Sequence, residues 1–365
     1  MEKNRNIAKI LIIICVFFLG MYLNTVLIQF FPSENSKESL KVEKDVTITE
    51  TGIAEAVEKV YDSVVIVSSV KDNIVISSGT GFVFKTDDKK AYILTNSHVV
   101  NNEGEVNVTF TNQNTHKATL EGLIEFEDIA VLSLDKKHII KVATLYDGDN
   151  LRVGDTTFAI GGPLDPVYSW TVTRGIVSGL NRKVEVSLTG SNVNDFVMEV
   201  IQTDTAINKG NSGGPLSNSN GEVIGVTSMK LVSSGVEGMG FAIPIDVALI
   251  SANKILNGTH KEQPYLGIGM LNLTEAARNA NYNQVVNSSN QKEGVFITEV
   301  EPGSAADKAG IKEKDIIIKL ENYNISSIAY LRYTLFKQKI GAKIKITYIR
   351  EGKPETTNLI IGSRS

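Results

Sequence analysis

The sequence predicts two β-barrels in one domain, a small α/β domain after them, and a membrane-spanning helix before them. Short β-rich runs, separated by turn residues, fill the centre of the chain in two series. The C-terminal part mixes β-runs with helical runs, and a long apolar segment lies near the N-terminus. The 365 residues are enough for two or three domains.

The segment from Ile10 to Phe31 is almost entirely apolar and is long enough to span a bilayer as a helix. Basic residues within 1–9 favour a cytoplasmic N-terminus. A cleaved signal peptide is the competing interpretation, but no A-x-A-like site follows the apolar run. We therefore expect an uncleaved, single-pass signal anchor over 10–31 in the cell membrane, with the rest of the chain extracytoplasmic.

Residues 32–50 are polar and of mixed charge, which is typical of a tether between a membrane and a folded domain. The next domain is expected over 51–260. It opens on apolar residues at helical spacing from Ile53 to Val60.

The β-rich runs of this domain fall into two series of similar length. The first series comprises Val64–Val67, Gly81–Phe84, Ala91–Leu94 and Ile129–Leu132. The second series comprises Thr157–Ile160, Thr171–Thr173, Glu199–Gln202, Val223–Val226 and Gly240–Ile243. Many short strands with little helix predict barrels or a sandwich, and two similar series favour two barrels.

A helix is expected to follow the second series, with Asp246 as its N-cap and Gly258 as its C-terminal stop. The last domain is expected over 264–365, after a short linker. A β-run at Asp315–Lys319 and a helical run at Ser327–Leu335 indicate a small mixed α/β unit.

Composition removes several classes of function. The formal net charge of −4 gives no electrostatic reason to expect nucleic-acid binding. The chain has no phosphate-binding G-x-x-x-x-G-K-[ST] motif, so ATP-driven action is not indicated. Cys15 is the single cysteine, which excludes an intramolecular disulfide, and no zinc-ligand cluster is visible. No metal or cofactor is expected.

The segment Gly210–Pro215, with the sequence GNSGGP, carries the strongest signal for chemistry. A serine hydroxyl is a weak nucleophile unless an imidazole takes its proton and a carboxylate orients that imidazole. His98, Asp128 and Ser212 supply these groups in that chain order. The glycines let the backbone turn tightly, so that the N–H groups of Gly210 and Ser212 can point at a developing oxyanion.

A second chemistry fits the same letters, because GNSGG also satisfies the G-x-S-x-G nucleophile elbow. Asp246 and His260 follow Ser212, as that arrangement requires. An elbow opens directly into a helix, however. Turn residues follow Pro215 here, including an Asn-Gly pair, so the elbow is disfavoured.

The central segment resembles the HtrA (DegP-like) family of trypsin-like serine proteases, which have the two-barrel chymotrypsin fold. The matching segments are TNSHVV at Thr95–Val100, EDIAVLSL at Glu127–Leu134, TVTRGIVSGL at Thr171–Leu180, QTDTAINKGNSGGPL at Gln202–Leu216 and GFAIP at Gly240–Pro244. The C-terminal unit resembles a PDZ domain, in YLGIG at Tyr265–Gly269 and in the segment Val300–Ile317. The order anchor, protease, single PDZ is similar to membrane-anchored bacterial members.

The resemblance implies an ATP-independent serine endopeptidase that degrades unfolded or misfolded extracytoplasmic proteins in protein quality control and the stress response. It implies a homotrimer built by the protease domains near Ile53–Tyr61, and no nucleic-acid partner. The PDZ domain is expected to bind C-terminal peptides. The residues expected to hold the peptide carboxylate are Tyr265, Leu266, Gly267 and Ile268.

The resemblance also locates a substrate pocket without charge. Ala206 lies six residues before the nucleophile, where trypsin-like enzymes place a charge on the pocket floor. Burying a Lys or Arg without a partner is costly, so we expect cleavage after small or medium aliphatic residues. The predicted pocket residues are Ala206, Ile207, Thr227, Ser228, Gly240 and Phe241.

Three positions qualify the resemblance. Lys314 precedes Asp315 where PDZ relatives commonly have Gly, and Pro264 precedes the carboxylate loop. Asn211 stands where trypsin-like zymogens carry Asp, so activation by a newly cut N-terminus is not expected. Two other functions stay open on the sequence alone: a peptide-binding chaperone or stress sensor, and a regulatory protease dedicated to one membrane-associated partner.

Overall fold

The computed structural model describes residues 14–23, 50–100, 104–162, 169–187, 194–228 and 238–364. Residues 14–23 are helical and belong to a unit, Met1–Ile48, that is separate from the compact unit Thr49–Ser365. The rest of the predicted anchor, 10–13 and 24–31, lies outside the described residues. Within the described part of the chain, no helix has the length and apolar character needed to cross a membrane.

The compact unit begins with helix α1 (Glu50–Tyr61), where the apolar spacing predicts a helix. Two closed barrels of six strands follow, as the two series predict. The strands of the first barrel are β1 (Val64–Lys71), β2 (Ile74–Thr86), β3 (Lys90–Thr95), β4 (Glu105–Thr109), β5 (Thr115–Ile124) and β6 (Ile129–Asp135). Those of the second are β7 (Thr156–Gly161), β8 (Thr171–Val186), β9 (Phe196–Thr203), β10 (Pro215–Asn218), β11 (Val223–Thr227) and β12 (Gly240–Pro244).

The two barrels repeat one strand order. Around the first barrel the order is β1-β2-β3-β6-β5-β4, and around the second it is β7-β8-β9-β12-β11-β10. Neighbouring strands in both barrels pair antiparallel, for example Leu94 with Val131 and Leu216 with Ala159. Closure leaves no free sheet edge in either barrel.

Helix α2 (Ile245–Leu256) leaves the second barrel and packs against β5 and β6 of the first. Its buried residues Ile245, Ala248, Ala252 and Ile255 recur at helical spacing. The prediction of Asp246 as N-cap was wrong. The extended residue before the helix is Pro244, which is still the last residue of β12 and pairs with Gly225, so Asp246 falls in the first turn.

The end of α2 confirms the predicted stop. Gly258 has the left-handed φ of 73° that follows many helix ends and that glycine adopts without strain. The predicted linker Thr259–Gln263 is shorter than expected, because it contains a 3-10 turn and Gln263 already begins a strand.

The C-terminal domain is mixed α/β, as predicted. Its strands are β13 (Gln263–Tyr265), β14 (Ile268–Asn272), β15 (Val295–Val300), β16 (Ile316–Leu320), β17 (Tyr323–Asn324), β18 (Lys343–Arg350), β19 (Lys353–Ile360) and β20 (Gly362–Arg364). Its helices are α3 (Leu273–Arg278), α4 (Asn283–Ser288), α5 (Ala305–Lys308) and α6 (Ile328–Phe336). The main sheet runs β14-β15-β16-β18-β19, with β17 beside β16, while β13 pairs with β20.

The C-terminal domain packs on the second barrel through α6, which lies against β9. Val197, Ala329 and Tyr333 form a small buried apolar cluster at this contact. Around it, Arg332 pairs with Asp195 at 2.9 Å between Nη1 and Oδ2. The contact brings the C-terminal domain within reach of the turns that carry the predicted catalytic residues.

Candidate active site

The structure places His98 and Asp128 on the first barrel and in direct contact. His98 sits in a 3-10 turn (Ser97–Val99) at the end of β3, and Asp128 ends a 3-10 turn (Glu125–Glu127) just before β6. Thr95 and Ala130 pair across β3 and β6, which brings the two turns side by side. His98 Nδ1 lies 2.8 Å from Asp128 Oδ1 and 3.0 Å from Oδ2.

The Asp128 carboxylate is completely buried and has several donors besides the imidazole. Ser97 Oγ donates to Oδ1 at 3.0 Å, and the backbone N–H of His98 lies 3.3 Å from the same oxygen. Ser228 Oγ, from the second barrel, donates to Oδ2 at 2.9 Å. A buried carboxylate is stable only with such partners, and together they fix its plane and therefore the ring of His98.

The turn that presents Asp128 is held in a demanding conformation. Asp128 has a left-handed φ of 51°, which few residues other than glycine, asparagine and aspartate adopt readily. Its neighbour Glu127 is anchored from helix α2, where Ser251 donates to one carboxylate oxygen and Lys254 approaches the other at 3.2 Å. The helix after the second barrel thereby braces the turn on the first.

Ser212 lies in the loop between β9 and β10, on the second barrel, and the loop is pressed against the first barrel. The backbone N–H of Thr80 in β2 donates to the Ser212 carbonyl at 2.8 Å. Gly213 follows with a φ of 84°, and a Cβ there would lie 2.2 Å from the Thr80 carbonyl oxygen. Only glycine fits this position, which explains the first glycine after the serine.

The element that follows the Ser212 loop is a strand, which counts against the nucleophile elbow. Pro215 opens strand β10 rather than a helix, and the chain then turns back through Gly221, with a φ of 79°. The nucleophile elbow requires a helix at this point.

The predicted oxyanion segment, Gly210 to Ser212, is a tight turn. Gly210 has a φ of 105°, a value that L side chains rarely adopt. Asn211 shapes the loop, because its Nδ2 donates to the Ala206 carbonyl at 3.2 Å. Gly161 stands behind the turn, where a Cβ would come within 2.7 Å of the Asn211 Cα.

The six predicted pocket residues are close in the fold but differ in role. Ala206 is exposed, whereas Ile207 is buried and lies against Gly240, where a Cβ would approach the Ile207 side chain to 2.8 Å. Phe241 is buried in the core that links the barrels. Thr227 and Ser228 are completely buried, and their hydroxyls donate to the Asn211 carbonyl and to Asp128.

The predicted carboxylate loop borders a groove beside α6. Gly267 has a φ of 77°, and its carbonyl accepts from the N–H of Glu301 at 2.9 Å. The cavity has a volume of about 280 Å³. Its lining consists of Phe196, Gln263, Pro264, Tyr265, Leu266, Gly267, Ile268, Met270, Leu331, Arg332, Leu335, Phe336 and Arg364. All four predicted loop residues are among them, and Phe196 is contributed by the second barrel.

An aromatic cluster links this groove to the turn that carries Asp128. Phe126, two residues before Asp128, lies 4.5 Å from Phe336 and 6.0 Å from Phe196 between ring centroids. Arg332 places its guanidinium 5.0 Å above the Phe196 ring. Aromatic rings at these separations attract one another, and so do a guanidinium and the ring below it. We call Phe126, Phe196 and Phe336 the phenylalanine cluster.

Polar contacts surround the phenylalanine cluster. The hydroxyl of Tyr333 donates to Glu199, and Lys337 Nζ lies 3.0 Å from Glu199 Oε1. Burial and the hydrogen bond to Glu199 raise the pKa of Tyr333. Burial acts to raise the pKa of Glu199, but the hydrogen bonds from Tyr333 and Lys337 outweigh it and lower that pKa.

Several residues of the site were not identified from the sequence. Ser97 was inside a recognised motif, but only the fold shows its hydroxyl on Asp128. Thr80 stands between Gly79 and Gly81, and a Cβ at Gly79 would lie 2.9 Å from the Ser212 carbonyl oxygen. The glycines on either side of Thr80 could therefore have indicated, from the sequence, that another backbone segment lies close to this part of β2. The phenylalanine cluster had no local signal.

Comparison with known protein families gives two matches along the chain. The trypsin-like peptidase domain family matches residues 79–226, and the PDZ domain family matches 264–361. The first match contains His98, Asp128 and Ser212, and the second begins at Pro264 and contains the carboxylate loop.

Two solved structures resemble this chain throughout both domains. A serine endoprotease from Yersinia pestis has a TM-score of 0.63 and 27% identity, over 86% of this chain and 98% of that one. The HtrA-type protease AlgW with a decapeptide has a TM-score of 0.66 and 26% identity, over 86% and 99%.

Curated relatives match over a similar extent. Serine protease Do-like HtrB of Bacillus subtilis is 39% identical over 324 residues, covering 84% of this chain and 70% of the relative. Serine protease Do-like HtrA of Lactococcus lactis subsp. cremoris is 36% identical over 298 residues, covering 80% and 72%. With the barrels, the domain order and these matches together, the chain belongs to the HtrA family of trypsin-like serine endopeptidases, with one C-terminal PDZ domain.

Proposed function

We propose that the chain hydrolyses peptide bonds of unfolded proteins through a triad of His98, Asp128 and Ser212. Ser212 Oγ attacks the scissile carbonyl while His98 takes its proton, and His98 then protonates the leaving amine. Asp128 holds the imidazole in the required tautomer and stabilises its charged form. The observation that carries the proposal is the fully buried Asp128 carboxylate, bonded to His98 Nδ1 at 2.8 Å.

The backbone N–H groups of Gly210 and Ser212 would stabilise the oxyanion, with Asn211 shaping the turn. The left-handed φ of Gly210 and the Asn211 bond to Ala206 support this assignment. Donors aimed at a developing charge are among the largest contributions to catalysis.

Cleavage is proposed to follow small or medium aliphatic residues. Ala206, Ile207, Gly240 and Phe241 bring no charge to the predicted pocket, and the hydroxyls of Thr227 and Ser228 are engaged elsewhere. A Lys or Arg side chain would therefore lose its hydration without gaining a partner.

The PDZ groove is proposed to bind C-terminal peptides as an added strand beside β14, with the carboxylate at the loop Tyr265–Ile268. The main-sheet order leaves β14 at an edge, and apolar side chains line the cavity beside it. The related AlgW structure was solved with a decapeptide. Peptide ends of this kind become accessible when proteins unfold.

The cellular setting is also a proposal. We place a membrane anchor at 10–31, a tether at 32–50, the protease domain at 51–260 and the PDZ domain at 264–365, with both domains extracytoplasmic. A relative from Haemophilus influenzae, 39% identical over 276 residues, is named a probable periplasmic serine protease. A homotrimer joined near helix α1 and a role in protein quality control under stress complete the proposal.

The test compares the purified full chain with its Ser212→Ala variant on casein and maps the cut sites by mass spectrometry. The variant should lose about 10⁶ in kcat, as serine-triad knockouts do. Wild-type cuts should follow Val, Ile or Ala. The matched control is Ser217→Ala, because Ser217 is completely buried in β10 near the nucleophile but lies outside the proposed machinery.

Activity that persists in Ser212→Ala would refute the triad. Cuts after Lys or Arg would refute the pocket assignment while leaving the triad intact. No cleavage by the wild type, even with added apolar C-terminal peptides, would count against a general degradative role and favour a peptide-binding sensor.

A further inference from the structure

Two buried threonines hold every carbonyl group of the oxyanion segment. Thr80 Oγ1 donates to the Gly210 carbonyl at 2.5 Å, and the Thr80 N–H donates to the Ser212 carbonyl at 2.8 Å. Thr227 Oγ1 donates to the Asn211 carbonyl between them at 2.5 Å. Thr80 lies in β2 of the first barrel and Thr227 in β11 of the second, so both barrels donate hydrogen bonds to the segment.

These bonds determine where the N–H groups of the segment point. In a trans peptide the carbonyl of one residue and the N–H of the next are directed oppositely. Fixing the Asn211 carbonyl therefore fixes the direction of the Ser212 N–H, one of the two proposed oxyanion donors. Fixing the Gly210 carbonyl fixes the Asn211 N–H, which donates to Asn208 at 3.0 Å.

Backbone bonds hold part of this arrangement, since the Gly214 N–H also donates to the Asn211 carbonyl at 2.9 Å. Glycines at 210, 213 and 214 nevertheless allow many conformations, so the threonine hydroxyls restrain the segment beyond what its own backbone does. Both threonine side chains are completely buried, so water does not replace them as donors. The Thr80 hydroxyl also accepts from the Gly162 N–H at 3.0 Å, and Thr227 Oγ1 lies 3.1 Å from the Gly214 carbonyl. The Gly162 N–H therefore orients the Thr80 hydroxyl. The single hydrogen of the Thr227 hydroxyl has two acceptors, of which the Asn211 carbonyl is the nearer.

We infer that Thr80 and Thr227 are positioning residues that preset the oxyanion hole. The inference rests on the proposed function of Ser212 and its neighbours. Neither threonine needs to touch the substrate. Thr227 orients the Ser212 N–H, because this N–H shares a peptide plane with the Asn211 carbonyl. Thr80 holds the carbonyl groups of Gly210 and Ser212, at the two ends of the segment.

The experiment uses Thr80→Val and Thr227→Val in the full chain, which remove each hydroxyl at similar volume. Loss of one complete oxyanion donor lowers kcat by about 10²–10³. A donor that is present but less well aimed should cost less, so we expect kcat to fall about tenfold to a hundredfold with KM nearly unchanged. Thr80→Ser and Thr227→Ser keep the hydroxyl and should restore most of the activity.

A second measurement separates positioning from general loosening of the fold. A peptidyl boronic acid forms a tetrahedral adduct with the serine, so its affinity should fall in parallel with kcat/KM across the variants. The control is Thr157→Val. Thr157 is an equally buried threonine of the second barrel, but its hydroxyl bonds the side chains of Thr203 and Thr205, at 3.1 and 2.7 Å, and not a carbonyl group of the segment 210–212. This variant should bind the boronic acid as the wild type does.

Unchanged kcat in both valine variants, with Ser212→Ala inactive, would overturn this inference and leave the proposed function standing. An equal loss in Thr157→Val would overturn it too, because the effect would then belong to the barrel and not to the loop. If a valine variant does not fold, the alanine variant at the same position is measured in its place. Full activity in Ser212→Ala would instead refute the proposed function itself.

Discussion

The proposed catalytic pair and the contact between the PDZ domain and the second barrel are both built from charged groups, but in opposite ways. Asp128 is completely buried and accepts from side chains of both barrels. The ion pairs between α6 and β9 are partly exposed, with Lys337 at 43% and Glu199 at 34% side-chain exposure. A buried carboxylate loses much when one partner is removed, whereas exposed pairs contribute little each.

This difference predicts how each region responds to mutation. Removing any one partner of the Asp128 carboxylate should disturb the whole pair of His98 and Asp128, because every donor binds the same carboxylate plane. The domain contact should weaken in small, separable steps, since its apolar and polar parts are individually modest. The largest expected effect is therefore at Asp128 and the smallest at the exposed interface charges.

Asp128→Asn should lower kcat by about 10⁴, as replacement of a triad aspartate does. The neighbours of the Asp128 carboxylate donate to its oxygens, as Ser97 Oγ and the His98 N–H do. The Asn side chain would place an NH₂ group among these donors, and it would remove the negative charge that stabilises the imidazolium of His98. Steady-state kinetics on a peptide substrate, with thermal unfolding as a check on the fold, measures the effect.

The control for that variant is Asp135→Asn, at the exposed far end of β6, the strand that follows Asp128, where Asp135 pairs with Lys137. It should retain wild-type kcat. A loss below tenfold in Asp128→Asn, with the fold intact, would mean that the buried carboxylate is structural and that the contrast with the interface does not hold.

The phenylalanine cluster should give the next largest effect. Phe126 and Phe336 lie 4.5 Å apart between centroids and connect the PDZ helix to the turn before Asp128. A double-mutant cycle with Phe126→Ala and Phe336→Ala should show a coupling energy of about 0.5–1.5 kcal/mol. Hydrogen exchange of the α6 amides reports the local opening free energy from which this coupling is obtained.

A second cycle serves as the comparison. Tyr282 stacks on Phe296 inside the PDZ domain, at 4.9 Å between centroids, and belongs to a different apolar cluster from Phe126. Phe126→Ala and Tyr282→Ala should therefore be additive. Additivity in the first cycle as well would show that the domain contact is held by its polar pairs alone.

The sequence could predict the barrels and the proposed catalytic residues because their signals are local. The apolar runs become strands as predicted, and two of the proposed catalytic residues, His98 and Asp128, are in direct contact. The contact of Ser228 with Asp128 joins residues that are 100 positions apart. No short pattern encodes a contact of that kind, so only the folded chain shows it.

The PDZ domain contains two helices that the sequence did not predict and one residue that the sequence singled out. Helices α3 and α4 were not predicted, because each is only six residues long and asparagines surround and interrupt them. The backbone conformation of Lys314 explains why this position was unusual in the sequence. Its φ of 72° lies in the left-handed region, where a glycine carries no Cβ strain. The common glycine of relatives at this position fits the same turn.

The smallest expected effect concerns the pH dependence of the interface. The hydrogen bonds from Tyr333 and Lys337 lower the pKa of Glu199 below its ordinary 4.5, although burial opposes them. A carboxylate whose pKa is lowered by folding stabilises the folded contact above its ordinary pKa. That stabilisation is lost as the pH falls through the lowered value. Protection of the α6 amides should therefore be constant near neutral pH and decline below about pH 4.5.

Glu199→Gln tests this directly, because glutamine does not titrate. Its α6 protection should be slightly lower than wild type at neutral pH, by at most about 1 kcal/mol, since the pair is partly exposed. The difference between the two proteins should close in acid. Glu121→Gln is the matched control: hydrogen bonds to Lys90 and Ser133 lower the pKa of Glu121 as well, but it lies on the first barrel. A decline in acid that is identical in wild type and Glu199→Gln would assign the pH dependence to other groups and leave the interface held by the phenylalanine cluster.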